Sequence, residues 1–151
     1  LASVAVVGLF AAGCREAAPD FAGTTLDGRA VTLGDYLGRP LILAFMADWC
    51  GACRTEASEL DRFYRETGQG GAEVAVLAAA WDTTAEAMRV FMEEGGYSFP
   101  VMVEPEGLSS AYGIDSIPSA VVIDAEGRIA KTFTGRVTAA ELSRVVGDLA
   151  R

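Results

Sequence analysis

At 151 residues and 51% apolar, the chain can bury a real core as one domain without a disulfide staple, so its three cysteines call for chemical explanations. Twelve Lys plus Arg against twenty-one Asp plus Glu leave a formal net charge of -9, which disfavours nucleic acid and anionic membrane surfaces as partners. The absence of histidine removes Cys-His and Ser-His nucleophile pairs, imidazole metal ligands and imidazole pH switching. Acid-base work then falls to carboxylates or thiols.

Residues 1–13, LASVAVVGLFAAG, carry no charge and end in small residues before Cys14, as the hydrophobic region of an export signal does. As a helix they would rise only roughly 20 Å against a hydrocarbon core of about 30 Å, too little to span a bilayer. The sequence starts at Leu1 without a positively charged leader, so an incomplete N-terminus is expected. Ala11-Ala12-Gly13-Cys14 resembles a bacterial lipobox, although alanine replaces the usual leucine at its first position. Cys14 is therefore expected to be lipidated, the alternatives being an uncleaved anchor or an ordinary free thiol. Residues 14–18 read as a tether and 19–151 as a single domain.

Leu41 to Ala47 (LILAFMA) is continuously apolar and bounded by Gly38-Arg39-Pro40 and the cysteines, which predicts a buried central strand. From Gly51 to about Thr67, Cys53, Ala57, Leu60 and Tyr64 recur at helical spacing, with Asp61 and Arg65 as an exposed charge pair. Val74 to Trp81 reads as a second strand. Thr83 and Glu86 stand at capping-box spacing before a helix that should end at Gly95-Gly96. Phe99 to Val103 predicts another strand, followed by a short helix with Pro105 in its first turn and Gly113 at its end. Ser119–Asp124 and Arg128–Thr134 form a hairpin in which Gly127 supplies a positive φ. Thr138 to Glu141 opens a last helix whose apolar face is Leu142, Val145, Val146 and Leu149. This order implies an α/β fold: a central mixed sheet, parallel through its first part, with helices on both faces. The cysteines fall at the C-terminal end of the first long parallel strand, where such sheets usually build their sites.

Cys50-Gly51-Ala52-Cys53 places two thiols on the first turn of a helix, with Cβ atoms about 5–6 Å apart, slightly beyond disulfide distance. A small adjustment closes the bridge. Free amide N–H groups and the helix dipole stabilise a thiolate at Cys50, and lowering a thiol pKa from about 8.5 to about 7 raises the ionised fraction at pH 7 from roughly 3% to roughly half. Cys53, one turn inside, is expected to be more buried and to resolve the mixed disulfide. A structural disulfide would close too short a loop to stabilise much, and a four-thiolate zinc site lacks two ligands. No metal site is expected.

LILAFMADWCGACRTE resembles the strand, Trp-Cys-x-x-Cys and helix start of thioredoxins, and Tyr112-Gly-Ile-Asp-Ser-Ile-Pro-Ser119 resembles their proline loop. PDFAGTTLDGRAVTLGDYLGRP, the Cys-Arg-Thr-Glu helix start and the Asp124-Ala-Glu-Gly127 turn are similar to exported, membrane-tethered members of the TlpA and ResA type, in the AhpC/TSA-Redoxin superfamily. The resemblance covers essentially everything after Pro19. It implies a thioredoxin fold with an N-terminal β-hairpin extension, and no cofactor beyond a redox-active Cys50–Cys53 disulfide. It further implies that Pro118 is cis and faces the disulfide, a plain turn proline being the alternative. Ile117 would then offer its backbone to an extended substrate segment, with Trp49, Gly51 and Ala52 completing the binding rim. Partly buried packing is the competing reading of Trp49 as a lone aromatic. Thioredoxin-like proteins often carry a buried carboxylate where this chain has Ala44, so the proton acceptor for Cys53 must come from elsewhere. Glu56 and Asp82 are substitutes by position, against the alternative that each is an exposed or capping charge. Ala52 and Ser58 also replace common prolines.

The expected function is a membrane-tethered monomer outside the cytoplasm, in periplasm or cell envelope, that reduces disulfides of exported proteins and is recharged by a membrane thiol reductant. Apocytochrome or metal-site cysteines are the substrates that the resemblance suggests. The alternatives are a thiolate Cu(I) carrier and a peroxiredoxin-like thiol peroxidase, although the Thr-x-x-Cys arrangement of the latter is absent around Cys50.

Overall fold

In the computed structural model, which describes residues 13–67 and 73–151, β3 (Leu41–Met46) is the spine: all six of its residues are buried. The export-signal reading of residues 1–13 lies, apart from Gly13, outside the described residues. A strand with no polar face must be covered on both sides, and β3 is. It pairs in parallel with β4 (Ala75–Ala80), Leu41 opposite Ala75 through Met46 opposite Ala80. β4 pairs in parallel with β5 (Val101–Val103), and on the other flank β6 (Ser119–Ile123) and β7 (Ile129–Thr134) follow in antiparallel sense. The sheet order is β5-β4-β3-β6-β7. Pro100 has no N–H to give a ladder, so β5 begins later than the apolar pattern suggested.

Three helices, α1 (Gly51–Glu66), α2 (Ala85–Gly95) and α4 (Ala139–Leu149), bring Phe63, Phe91 and Leu142 onto the sheet face that carries Ile42, Ala44 and Met46. The opposite face, with Leu41, Leu43 and Phe45, is covered by the short α3 (Leu108–Ala111) and a 3-10 turn over Leu33–Tyr36. The expected extension is present as β1 (Ala22–Thr24) and β2 (Ala30–Thr32), an antiparallel pair. Beyond it Thr25 bridges to Met102, and the Leu26 N–H donates to the Val101 carbonyl at 2.9 Å, shielding the free edge of β5.

Several local expectations shift in register. The N-cap of α2 is Thr84, whose hydroxyl accepts the Ala87 N–H at 3.1 Å, one residue later than the Thr83–Glu86 spacing implied. Thr83 is drawn instead to Asp48, to which its hydroxyl donates. Pro105 precedes α3 rather than opening it; Gly107, at φ 79°, is the cap. Around α4 the capping box forms as read, with Thr138 and Glu141 exchanging both hydrogen bonds. The Asp61–Arg65 pair also forms, at 2.6 Å, but Asp61 is buried because its other oxygen accepts the Ser98 N–H at 2.6 Å.

Residues 15–18 are not a free tether. Ile129 donates its N–H to the Glu16 carbonyl at 2.8 Å and Ala18 donates to Gly127 at 2.9 Å, so the domain edge lies before Pro19. Arg15 adds an ion pair with Asp124 at 3.1 Å. The anchor point is the β6–β7 turn, where Ile123 stands opposite Leu41, at the far end of β3 from the cysteines. Among the described residues no helix is long and apolar enough to cross a membrane.

Asp124 also accepts the Arg128 and Glu126 N–H groups at 2.9 and 3.1 Å. Burial pushes its carboxyl up, but these donors and Arg15 outweigh it and hold it below its ordinary value of 3.8. A depressed carboxyl contributes stability above its unfolded pKa and loses it as pH falls through the folded one. Asp124→Ala should lower stability by about 1–3 kcal/mol at neutral pH in urea unfolding, with the deficit narrowing in acid. Amide exchange at Ala18 and Ile129 should quicken in the same variant.

Candidate active site

Because β3 ends at Met46 and α1 begins at Gly51, four residues turn the chain from strand to helix, and Cys50 is the last of them. It is the N-cap of α1, extended at φ -91° and ψ 110°, with its Sγ accepting the Cys53 N–H at 3.3 Å. The two cysteines form a disulfide with Cα atoms 5.2 Å apart. Cys50 keeps 9% of its surface and Cys53 none. The order of access is the expected one, although Cys50 is largely covered in this oxidised state. What covers it is the proline loop: the Ile117–Pro118 peptide is cis, and the Ile117 carbonyl oxygen lies 3.9 Å from Cys50 Sγ. Pro118 is buried and its carbonyl accepts the Gly135 N–H at 2.9 Å, tying the loop to the β7–α4 connection.

The rim is formed by Trp49, Gly51 and Ala52, all exposed, with half-buried Ile117 across the disulfide. Trp49 is 60% exposed. Its indole N–H donates to the Asp82 carbonyl at 3.0 Å. Asp82 itself turns an exposed side chain to solvent, so what the structure uses of it is the main chain. Cys14 is exposed, outside the disulfide, and precedes Arg15, whose ion pair with Asp124 lies at the opposite pole.

Glu56 is neither exposed nor a surface cap. One turn beyond Cys53 on the inner face of α1, it retains 1% of its surface. Oε2 accepts the Val137 N–H at 2.8 Å, while Oε1 is buried without a hydrogen-bond partner among the described residues. Burial pushes the carboxyl up to about 7, opposed by the Val137 N–H, reinforced by the charges of Glu59 and Glu141 and opposed again by Arg136. Glu56 lines a surface cavity of about 460 Å³ with Thr55, Glu59, Arg136, Val137 and Thr138. Ala44, fully buried, supplies no acid on β3.

Glu59 was missed by sequence reasoning. Its Oε2 accepts the Ala139 N–H at 2.8 Å, so two carboxylates of α1 hold the entry to α4. The available signal was the three-residue spacing from Glu56, which puts both on one side of the helix.

Glu56 holds its proton up to about pH 7 in the fold, against an ordinary value of 4.5. The folded state therefore binds more protons between these values, and stability falls as pH rises through that window. Urea unfolding of the wild type should show a loss of up to roughly 3 kcal/mol across it, and Glu56→Gln should lack that step.

Comparison with known proteins agrees with this geometry. The family model described as AhpC/TSA family matches residues 14–132. The thioredoxin-like protein YneN of Bacillus subtilis (strain 168) is 29% identical over 129 residues, covering 85% of this chain and 76% of its own length. The thiol-disulfide oxidoreductase ResA of Geobacillus thermodenitrificans (strain NG80-2) is 30% identical over 128 residues, covering 84% and 72%. Among solved structures, the pneumococcal exposed lipoprotein thioredoxin Etrx1 of Streptococcus pneumoniae strain TIGR4 superposes with a TM-score of 0.75 at 27% identity, covering 86% of this chain and 99% of its own. With the cysteine pair at the head of α1 and the cis-proline loop against it, the chain belongs to the AhpC/TSA family and is a thiol-disulfide oxidoreductase of the thioredoxin fold.

Proposed function

We propose that the protein works outside the cytoplasm as a reductant of disulfides in exported proteins, attached to the membrane through Cys14. The observation that carries the chemistry is the graded environment of the two sulfurs: Cys50 at the helix end facing the Ile117 carbonyl, Cys53 fully buried one helical turn before a buried carboxyl. In the reduced protein, the Cys53 N–H and the positive end of α1 stabilise a Cys50 thiolate. That thiolate attacks one sulfur of the substrate disulfide, forming a mixed disulfide and releasing the other sulfur as a thiolate that takes up a proton. Glu56 accepts the Cys53 proton, and the Cys53 thiolate attacks Cys50 Sγ, freeing the second substrate thiol and closing the Cys50–Cys53 bridge. The substrate gains two electrons. A membrane dithiol restores them, becoming a disulfide in turn.

The apolar segment before Cys14 and the description of Etrx1 as an exposed lipoprotein support the location. A docked segment at residues 15–18 sets Cys14 at the pole away from the disulfide, leaving the site open to partners while the chain is attached. A thiol peroxidase would want a threonine three residues before its cysteine, and Ala47 stands there.

Equilibration with glutathione or dithiothreitol should give a potential near about -270 mV; a value near about -120 mV would make the protein an oxidant and overturn the direction. Cys53→Ser should accumulate a mixed disulfide with a substrate peptide, and Cys50→Ser should form none. Mass analysis of the mature exported N-terminus should find a lipid on Cys14; an unmodified thiol there removes the anchor.

A further inference from the structure

The loop after β4 makes two contacts with the loop after β3, and neither is needed to build the sheet. Thr83 donates its hydroxyl to Asp48, and Trp49 donates its indole N–H to the carbonyl of Asp82 at 3.0 Å. Asp82 is the one non-glycine residue with a positive φ, 47°, among the described residues. Aspartate and asparagine enter this left-handed region more readily than other side-chain-bearing residues. The conformation turns the Asp82 carbonyl toward the indole, while its carboxylate stays exposed. The result is a large aromatic ring, 60% exposed, held next to Cys50 by its polar edge. An unpinned tryptophan would lose side-chain freedom each time a substrate docked; this one has already lost it.

We propose that Asp82 is a positioning residue: its left-handed backbone fixes Trp49 as a rigid apolar platform for the polypeptide flanking a substrate disulfide. This rests on the oxidoreductase activity and deepens it, assigning Asp82 to polypeptide recognition rather than to proton transfer. A small disulfide with no flanking chain does not reach the platform.

The test compares Asp82→Val, whose β-branched side chain resists positive φ, with Asp82→Asn, which tolerates it and lacks the carboxylate. Substrates are a cysteine-bridged peptide and bis(2-hydroxyethyl) disulfide. Asp82→Val should raise KM for the peptide about fivefold, with kcat and the rate on the small disulfide within about twofold of wild type. The Trp49 indole N–H, assigned in NMR spectra by its loss in Trp49→Phe, should exchange faster with solvent. Asp82→Asn should match wild type in every readout. Trp49→Phe should raise peptide KM comparably, and adding Asp82→Val to it should change KM little further. An unchanged KM in Asp82→Val overturns the proposal, as does multiplication of the two effects or an Asp82→Asn that behaves like Asp82→Val. If the wild type reduces neither disulfide, the oxidoreductase reading falls instead, and unchanged indole exchange in Asp82→Val separately rejects the pinning.

Discussion

The chemistry depends on the junction at which β3 stops and α1 starts. β3 is buried on both faces and cannot slip without exposing apolar residues or breaking its ladders to β4 and β6. Its carboxyl end is therefore a fixed point, and the four residues that follow place Cys50 on the helix cap. A sulfur in that position shares the N–H of Cys53 with the Cys50 carbonyl, at 3.3 and 3.1 Å. One capping interaction thus ends a strand, begins a helix and favours negative charge on a sulfur.

Everything else at the site is delivered to this junction from distant parts of the chain. β6 runs antiparallel beside β3, so the residues just before it, Ile117 and Pro118, arrive at the same sheet end as Cys50. β4 runs parallel to β3, so its exit, at Asp82 and Thr83, also arrives there and grips Trp49 and Asp48. From behind, α4 docks its entry on α1 through Glu56 and Glu59. This last contact has a chemical consequence: sealing Val137 and Ala139 against α1 is what removes Glu56 from water. A carboxyl in that setting keeps its proton to near neutrality.

The opposite pole has a separate logic. There the β6–β7 turn gathers the Glu16–Ala18 segment by main-chain pairing and holds Arg15 against Asp124. The docked Arg15–Ala18 segment and the disulfide lie at opposite ends of β3, a consequence of which strand ends the chain reaches in turn. The hairpin at the β5 edge is a third local solution, covering ladder groups that would otherwise be open to pairing with another chain.

Much of this was legible without coordinates. The apolar run of β3, the cysteine pair at the start of a helical period, the Thr138–Glu141 box and the glycine of the β6–β7 turn are local signals, set by backbone sterics and by spacings of two to four residues. These determined the element order, the mixed sheet and the redox centre. What local pattern left open was burial and partnership between residues far apart in sequence. Glu56 and Asp61 lie on one amphipathic helix with ordinary spacing, and only the docking of Val137 and Ser98 against them shows that both are enclosed. Asp82 reads in sequence as a spare acid, whereas the fold uses its backbone. Thr83 reads as a helix cap until Asp48, thirty-five positions away, takes its hydroxyl. Sequence by itself determined which groups could react, because thiols and carboxylates announce their chemistry; only the tertiary structure decided which carboxylate is buried and which backbone faces the sulfur, because desolvation is a property of neighbours that the chain supplies from a distance.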